Sequence, residues 1–399
     1  MDIVIVSEFC DDFSKSDNDR FLYIAKMLCK EHDVEIVTSN FRHTTKKKRT
    51  KIATTWPFRI TFLHEPGYST NICLKRFQSH FVWGRNVGKY LKKRKVPDMV
   101  YCAVPSLTAA NEACNYCRKH HVRFVVDIQD LWPEAFYMIF HVPILSSVVF
   151  LPFQILANRV YRAAEDIVAV SETYAKRAVR IRNSQKATVV YLGTNLDDFD
   201  KNVRENIVFH KEEGELWLGY CGTLGASYDI SFAIDVLSDI NKNGYKAPKF
   251  IVMGDGPDRN KLMKEVKKKK IDCVFTGRLP YNKMCSILKA CDMVINPIKG
   301  KAAQSIINKH ADYAASGKPV LNTQDSVEYS HLIEQYEMGY NCDTKEKLAK
   351  YIIILIEDKE LREWMGVNAR QCAEDKFDRN KIYKKIDYLV NSGRLREIE

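Results

Sequence analysis

The sequence predicts an α/β protein built from two Rossmann-like domains. Three observations carry that prediction. Short apolar runs alternate with helix-spaced segments six times within the first 200 residues, the pattern of a parallel, doubly wound sheet. A chain of 399 residues is long for one core, and with 46% hydrophobic residues it can bury two. The alternation then resumes beyond a polar stretch at 201–214, which places one domain over 1–200 and a second from 201 onward.

The first half begins with Asp-Ile-Val-Ile-Val at 2–6, a strand bounded by a polar loop over 7–19. Phe21, Ile24, Ala25 and Leu28 then recur at helical spacing and complete a β-loop-α unit. Residues 34–38 form the second strand, and the loop after it is basic, with Arg42, His43 and Lys46-Lys47-Lys48-Arg49. A helix over 71–95 ends on a second basic cluster, Lys89, Lys92, Lys93, Arg94 and Lys95. Residues 98–102 are the next strand, and Ser106 is placed to cap the helix behind it.

The strand over 123–128 delivers Gln129-Asp130-Leu131-Trp132-Pro133-Glu134 at its C-terminal end, where ligands of such sheets sit. Asp130 and Glu134 are therefore candidates for binding a ligand hydroxyl or removing its proton, since a carboxylate needs only hydrogen-bond reach of a hydroxyl to act; the resemblance described below makes that hydroxyl an acceptor's. The structural alternative is that Asp130 caps a helix. From 135 to 158 no residue is charged, counting His141 as neutral. That length suits a membrane span of about twenty residues. Pro143, Pro152, Ser146, Ser147 and Gln154 argue against one, and leave broken apolar helices that lie on a membrane interface or pack in the core. Strands over 166–170 and 188–192 flank a helix opening at Ser171-Glu172, and the polar 201–214 run reads as a linker.

The second half opens with a strand over 216–220 and the turn Cys221-Gly222-Thr223-Leu224-Gly225 ahead of a helix, the parts of a diphosphate cradle. A strand over 250–254, the turn Gly254-Asp255-Gly256-Pro257, a helix over 258–270 and the strand end Thr276-Gly277-Arg278 follow. The stretch over 296–323 organises this half. It runs from a strand end through Pro297 and Lys299 to a turn at Gln304-Ser305, then a helix closing on Ser316-Gly317-Lys318-Pro319. A helix start leaves about four N–H groups unpaired and carries roughly +0.5 charge, so an anion can settle there. The expected start is at Gln304 and Ser305. Asp312, eight residues on, projects from the same side as Gln304; alternatively the helix is simply capped, with Asp312 in solvent. A short strand follows Val320, then helices to 377 and a last helix over 379–393.

Ser305-Ile306-Ile307-Asn308-Lys309 and Asp312-Tyr-Ala-Ala-Ser-Gly317-Lys318-Pro319-Val resemble the donor-binding helix of retaining GT-B glycosyltransferases, in the large family 4-like group that includes bacterial capsule and O-antigen enzymes. The loop at Asp130-Leu-Trp-Pro-Glu134, the segment Gly193-Thr-Asn-Leu-Asp-Asp-Phe199 and the strand end at Gly277-Arg278 resemble further parts of that family, in the right order. The resemblance implies a two-domain enzyme closing over a nucleotide sugar, with 378–399 as a crossover helix returning to the first domain and 201–377 holding the donor. It implies donor contacts from Gly222, Thr223, Leu224, Gly225, Gly277, Arg278, Gln304, Ser305, Ile306, Ile307, Asn308 and Asp312, with Asp312 accepting from ribose hydroxyls. The chain departs from the family at its two glutamates with seven residues between them, which here read Gln304 and Asp312, and at the residue before Asp130, often His and here Gln129. Thr223 and Tyr228 stand where relatives place an Arg and a Lys near the diphosphate. Lys309 and Arg278 are the available replacements, so the catalytic set is Asp130, Glu134 and Lys309.

The resemblance also implies retention of configuration without a metal or other cofactor. Asp11-Asp12 and Asp197-Asp198 are adjacent pairs that read as solvated. The expected donor is a UDP- or GDP-sugar. A net charge of +12 and a pI near 9.0 fit an anionic membrane surface or acidic substrates, and the lack of nucleic-acid-binding motifs places nucleic acid last. Twelve scattered cysteines, with Cys114 and Cys117 as the one C-x-x-C, fit a reducing cytosolic face. A start directly on a strand is expected to lack a signal peptide. The expected acceptor is a lipid-linked saccharide at the inner face of the cell membrane, in surface polysaccharide assembly. Two rival readings are a sugar-nucleotide 2-epimerase of the same architecture and a non-catalytic partner subunit.

Overall fold

The computed structural model describes residues 1–10, 13, 19–49, 55–70, 73–137, 143–182, 187–205, 211–225, 227–298 and 305–396, with the backbone alone over 136–137, 143–147 and 393–396. Gln304, Lys299, Asp11, Asp12 and the middle of the uncharged 135–158 stretch lie outside the residues so described. The chain divides into two compact units, Met1–Tyr191 with Tyr383–Glu399, and Leu192–Ile382.

The first unit carries, in order, β1 (Asp2–Val6), α1 (Arg20–Leu28), β2 (Asp33–Ser39), β3 (Phe41–Arg42), β4 (Lys47–Lys48), β5 (Arg59–Leu63), α2 (Leu74–Lys93), β6 (Met99–Val104), α3 (Leu107–His120) and β7 (Arg123–Ile128). It continues with α4 (Glu134–Tyr137), α5 (Pro143–Ala163), β8 (Asp166–Ala169), α6 (Glu172–Arg182) and β9 (Thr188–Val189). Among the described residues the sheet runs β5-β2-β1-β6-β7-β8-β9, parallel throughout. Ile3, Val4, Ile5 and Val6 are fully buried because β1 lies inside the sheet with both faces covered, which is why its sequence is continuously apolar. Asp19 starts α1 by accepting from the N–H groups of Phe21 and Leu22, both at 2.9 Å.

Three expectations for this unit change. Ser106 precedes α3 but makes no capping bond; its hydroxyl donates to Glu8 instead, because burial beside a carboxylate offers a stronger, charge-assisted partner. Arg94 is not part of a free basic cluster. It leaves α2 in extended conformation and pairs with Asp2 at 2.8 Å and Glu35 at 3.2 Å. The last helix is broken: α15 (Arg379–Ile382) belongs to the second unit and α16 (Lys384–Arg396) to the first. The break falls at Tyr383, which is fully buried and accepts from the Arg20 guanidinium at 3.1 Å.

The second unit contains α7 (Leu196–Glu205), β10 (Trp217–Cys221), α8 (Ile230–Lys242), β11 (Lys249–Met253), α9 (Arg259–Lys269), β12 (Cys273–Gly277), α10 (Tyr281–Ala290) and β13 (Met293–Asn296). Then come α11 (Asn308–Ser316), β14 (Val320–Asn322), α12 (Val327–Gln335), β15 (Gly339–Asn341), α13 (Lys345–Glu357) and α14 (Lys359–Cys372), ahead of α15. The strand order is β12-β11-β10-β13-β14-β15, again parallel, with the order reversing between β10 and β13. Such a reversal opens a crevice at the strand C-termini, the usual ligand position in this architecture. The polar 201–214 stretch is helical at its start, since α7 buries Leu196 and Phe199 and Asp200 makes a two-pronged pair with Arg370 at 2.7 and 2.8 Å.

Candidate functional site

The loop after β10 is shaped by backbone packing. Gly222 has φ +145, and a Cβ on Gly254 would lie 1.8 Å from the Gly222 carbonyl oxygen. The N–H of Gly222 donates to Met253 at 2.9 Å and that of Leu224 to Asp255 at 3.0 Å. Two of the four amides expected to cradle a diphosphate are thus spent joining this loop to the one after β11. Thr223, between them, is exposed, and Leu224 is fully buried.

Across the crevice, the loop after β13 leads into α11. The helix starts at Asn308, three residues later than expected, with Ile307 in extended conformation before it. The reason lies in the bonds that hold Ser305. Its hydroxyl donates to Glu328 at 2.6 Å and its carbonyl accepts from Gln324 Nε2 at 3.1 Å, so it is drawn toward α12 and does not cap α11. The His310 ring closes the helix start by accepting the Ile307 N–H at Nδ1, 3.3 Å. His310 is fully buried, stacks on Tyr329 with centroids 3.4 Å apart, and burial keeps it neutral. Asn308 is exposed at the helix start; Ile306 is buried.

Lys309 occupies the crevice itself. It is 7% exposed, and its Nζ has no hydrogen-bond partner among the described residues. The ammonium lies 3.8 Å from the centroid of the Tyr228 ring and 4.4 Å from that of Tyr220. A Cβ added to Gly222 would come within 2.9 Å of it, so a glycine is what lets the amine pack this closely against the turn. Burial lowers its pKa to about 7. The fold therefore brings Lys309 and Gly222 together although 87 positions separate them (309 − 222). Arg278 is not part of this group; it is exposed after β12, the edge strand two places from β10.

Asp312 is buried, not in solvent. Its carboxylate accepts from Tyr281 Oη at 2.7 Å, and Tyr281 Oη bonds Thr194 Oγ1 at 2.6 Å. Burial raises its pKa to about 6 against the opposing effect of these bonds. Sequence reasoning missed this tie, because Tyr281 and Thr194 lie far from Asp312 along the chain. It also missed an asparagine ladder: Asn296, Asn322 and Asn341 end β13, β14 and β15 in register, with Nδ2 to Oδ1 bonds of 2.9 Å between successive members. The signal was available in the endings Val-Ile-Asn, Val-Leu-Asn and Gly-Tyr-Asn.

In the first unit, Asp130 follows β7, half-buried, with Oδ1 accepting the Leu131 N–H at 2.9 Å. Burial raises its pKa to about 6. Glu134 pairs with Arg177 at 2.5 Å, and Gln129 donates to Asp127 at 2.5 Å. A further polar cluster lies where the strand order reverses between β1 and β6: buried Glu8 accepts from Ser106 and lies 2.8 Å from His80 Nδ1, with Arg76 Nε donating to His80 Nε2 at 3.2 Å. Among the described residues no group of three His, Cys, Asp or Glu side chains is arranged to hold a metal ion.

Residues 203–372 match the family model described as Glycosyl transferases group 1. A curated relative, an uncharacterized glycosyltransferase of Methanocaldococcus jannaschii, is 25% identical over 248 residues, 59% of this chain and 62% of the relative. The chain thus spans less than two thirds of that relative's length. Among solved structures, sucrose-phosphate synthase from Thermosynechococcus elongatus superposes with a TM-score of 0.75 at 13% identity, covering 99% of each chain. HepE of Anabaena in complex with UDP gives a TM-score of 0.68 at 16% identity, covering 98% of this chain and all of that one. WaaG, a glycosyltransferase involved in lipopolysaccharide biosynthesis, gives 0.65 at 14% identity over 97% and 99% of the two chains. With its two parallel sheets and its C-terminal helix in the first unit, the chain has the GT-B fold, and the unit that holds Lys309 is similar to the glycosyl transferases group 1 model over 203–372.

Proposed function

We propose that this protein is a glycosyltransferase that moves a sugar from a nucleotide diphosphate donor to a saccharide acceptor. The observation that carries this reading is Lys309, a buried amine without a hydrogen-bond partner among the described residues, held against the Gly222 turn at the strand-order reversal. A diphosphate oxygen there completes a charge-assisted bond in a partly desolvated site, where a fixed donor stabilises a leaving group most. Charge for the leaving diphosphate then comes from Lys309 and the start of α11, so turnover needs no metal; retention of configuration is proposed from the resemblance to retaining GT-B enzymes. The donor is a UDP- or GDP-sugar; HepE, of the same fold, has been solved with UDP and with UDP-glucose. Asp130, with its raised proton affinity, takes the acceptor hydroxyl's proton, and Glu134 orients the loop through Arg177.

The acceptor we propose is a lipid-linked saccharide at the cytoplasmic membrane face, of the kind used for capsule or O-antigen. Val148, Val149, Leu151 and Ile155 of α5 are each more than half exposed, and exposed Arg159 and Arg162 continue the same helix. Phe77 of α2 touches Phe153 of α5, rings 5.6 Å apart, and α2 adds exposed Leu74 and Phe81. Apolar insertion combined with cationic residues suits an anionic bilayer. Among the described residues no helix is long and apolar enough to cross a membrane.

A second reading, a non-catalytic partner subunit, is favoured by Asp312 and Ser305, whose polar atoms already have internal partners. Incubating the protein with UDP- and GDP-sugars and a lipid extract in EDTA separates the readings. Transfer that falls at least tenfold in Lys309→Ala supports the enzyme; transfer unchanged in that variant rejects the role of Lys309. Nucleotide binding without transfer supports the subunit, and donor epimerised without acceptor supports an epimerase.

A further inference from the structure

Most lysines that hold phosphate are charged before the ligand arrives, kept so by exposure or by a neighbouring carboxylate. Among the described residues no carboxylate bonds Lys309, whose amine is buried and meets the faces of Tyr220 and Tyr228. The nearest charge-bearing neighbour that acts on it is the Cys221 thiol, itself pushed up to about 12 by burial and so neutral. A polar group in such surroundings is costly as an ion and cheaper as a neutral amine.

Resting on the donor-binding reading above, we propose that the protein captures the donor diphosphate together with one proton, which Lys309 takes up as the phosphoryl oxygens arrive. Tyr220 and Tyr228 are the positioning residues for this step. Their ring faces give a moderate attraction to the ammonium form without the full charge of a carboxylate, so the amine remains receptive to a proton and is not locked into an internal ion pair. Tyr220 is held for this task by donating its hydroxyl to the Thr223 carbonyl at 2.8 Å, which places its ring under the Gly222 turn. The balance is simple: a neutral amine and a hydronium-derived proton become an ammonium, which donates to a phosphoryl oxygen, and no other bond changes.

Among the described residues the titratable groups packed around Lys309 do not titrate between pH 7 and 9 and so do not mask the effect. From β10 and its loop, Tyr220 and Tyr228 are shifted upward by burial and Cys221 stands near 12. From α11, His310 is held neutral, Tyr313 is shifted upward and Asp312, at about 6, is already ionised. The free amine, at about 7, is mostly neutral at pH 8. The terminal phosphate of a nucleoside diphosphate, with a pKa of about 6, is fully ionised there.

Isothermal titration of the full chain with UDP, and separately with GDP, at pH 8 in buffers of different ionisation enthalpy reads the proton directly. The expected uptake is about 0.9 proton per nucleotide bound, with Kd rising up to roughly fiftyfold from pH 7 to pH 9. Lys309→Met abolishes the uptake and flattens the pH profile. Tyr228→Leu, which opens the amine to water, lowers the uptake at pH 8, whereas Tyr228→Phe keeps it. Nucleotide binding by the unaltered protein with no proton uptake overturns this proposal and leaves the donor-binding reading standing. Uptake that persists in Lys309→Met puts the proton elsewhere and also overturns it. Failure of both nucleotides to bind overturns the donor-binding reading, and this proposal falls with it.

Discussion

Asp312 shows how one residue's environment changes what it offers. Its folded carboxyl titrates near 6, above the ordinary 3.8, so the folded state holds its proton more tightly than the unfolded chain does. Stability from this group is therefore unaffected below about pH 4, falls as pH rises from about 4 to 6, and above that carries a cost of roughly 3 kcal/mol. Asp312→Asn keeps an oxygen for Tyr281 and removes the charge. The expected outcome is a higher Tm than the native protein at pH 7.5 and an equal Tm at pH 4, followed by calorimetry. An equal gain at both values would mean that buried charge is not what limits the native fold here. Lys309 is the mirror case, an amine whose proton is loosened by the same burial. Both residues were visible in the sequence as members of one helix, four and one positions beyond Asn308. Their opposite fates were not, because Asp312 meets Tyr281 and Lys309 meets two ring faces.

At the scale of elements, the asparagine ladder ties three strand ends to the loops that lead into α11 and α12. Asn322 bonds Asn296, Asn341 and the Gln324 carbonyl, so replacing it with Leu leaves buried polar groups unsatisfied on both sides. Such losses cost about 2–3 kcal/mol, which in a unit of this size lowers Tm by roughly 4–12 °C. Thermal unfolding of Asn322→Leu measures this, and a change under 1 °C would show the ladder to be dispensable. The α5 helix makes a different kind of prediction. Because its exposed apolar row is separate from the buried row of Phe150, Ala157, Val160 and Tyr161, Leu151→Glu with Ile155→Glu spares the core. The double variant is expected to keep its native Tm and to lose flotation with vesicles rich in phosphatidylglycerol. Retained flotation would show that the apolar row of α5 does not carry the membrane attraction.

For the whole molecule, the residues proposed to face the nucleotide all lie within Leu192–Ile382, while the Arg20–Asp127–Tyr383 tie lies in the other unit. UDP at a hundredfold excess over Kd adds about 2.7 kcal/mol to whatever it binds. Hydrogen exchange is expected to slow on UDP addition around 220–228 and 305–313 and to stay unchanged around β1, β6 and β7; the reverse pattern would move the site to the first unit. The alternation of apolar strands and amphipathic helices and the two parallel sheets were determined by sequence alone, because strand burial and helix periodicity are local consequences of side-chain spacing. The start of α11 was misplaced by three residues because Ser305, a good cap on local grounds, finds Glu328 and Gln324 in space. Only the tertiary structure decided which polar groups are spent and which remain: the amide of Gly222 goes to the end of β11 and that of Leu224 to the loop after it, Asp312 to Tyr281, and Lys309 is left without a hydrogen bond among the described residues. A hydrogen-bond partner is chosen by distance in space, and no local rule of spacing encodes that choice across dozens of intervening residues.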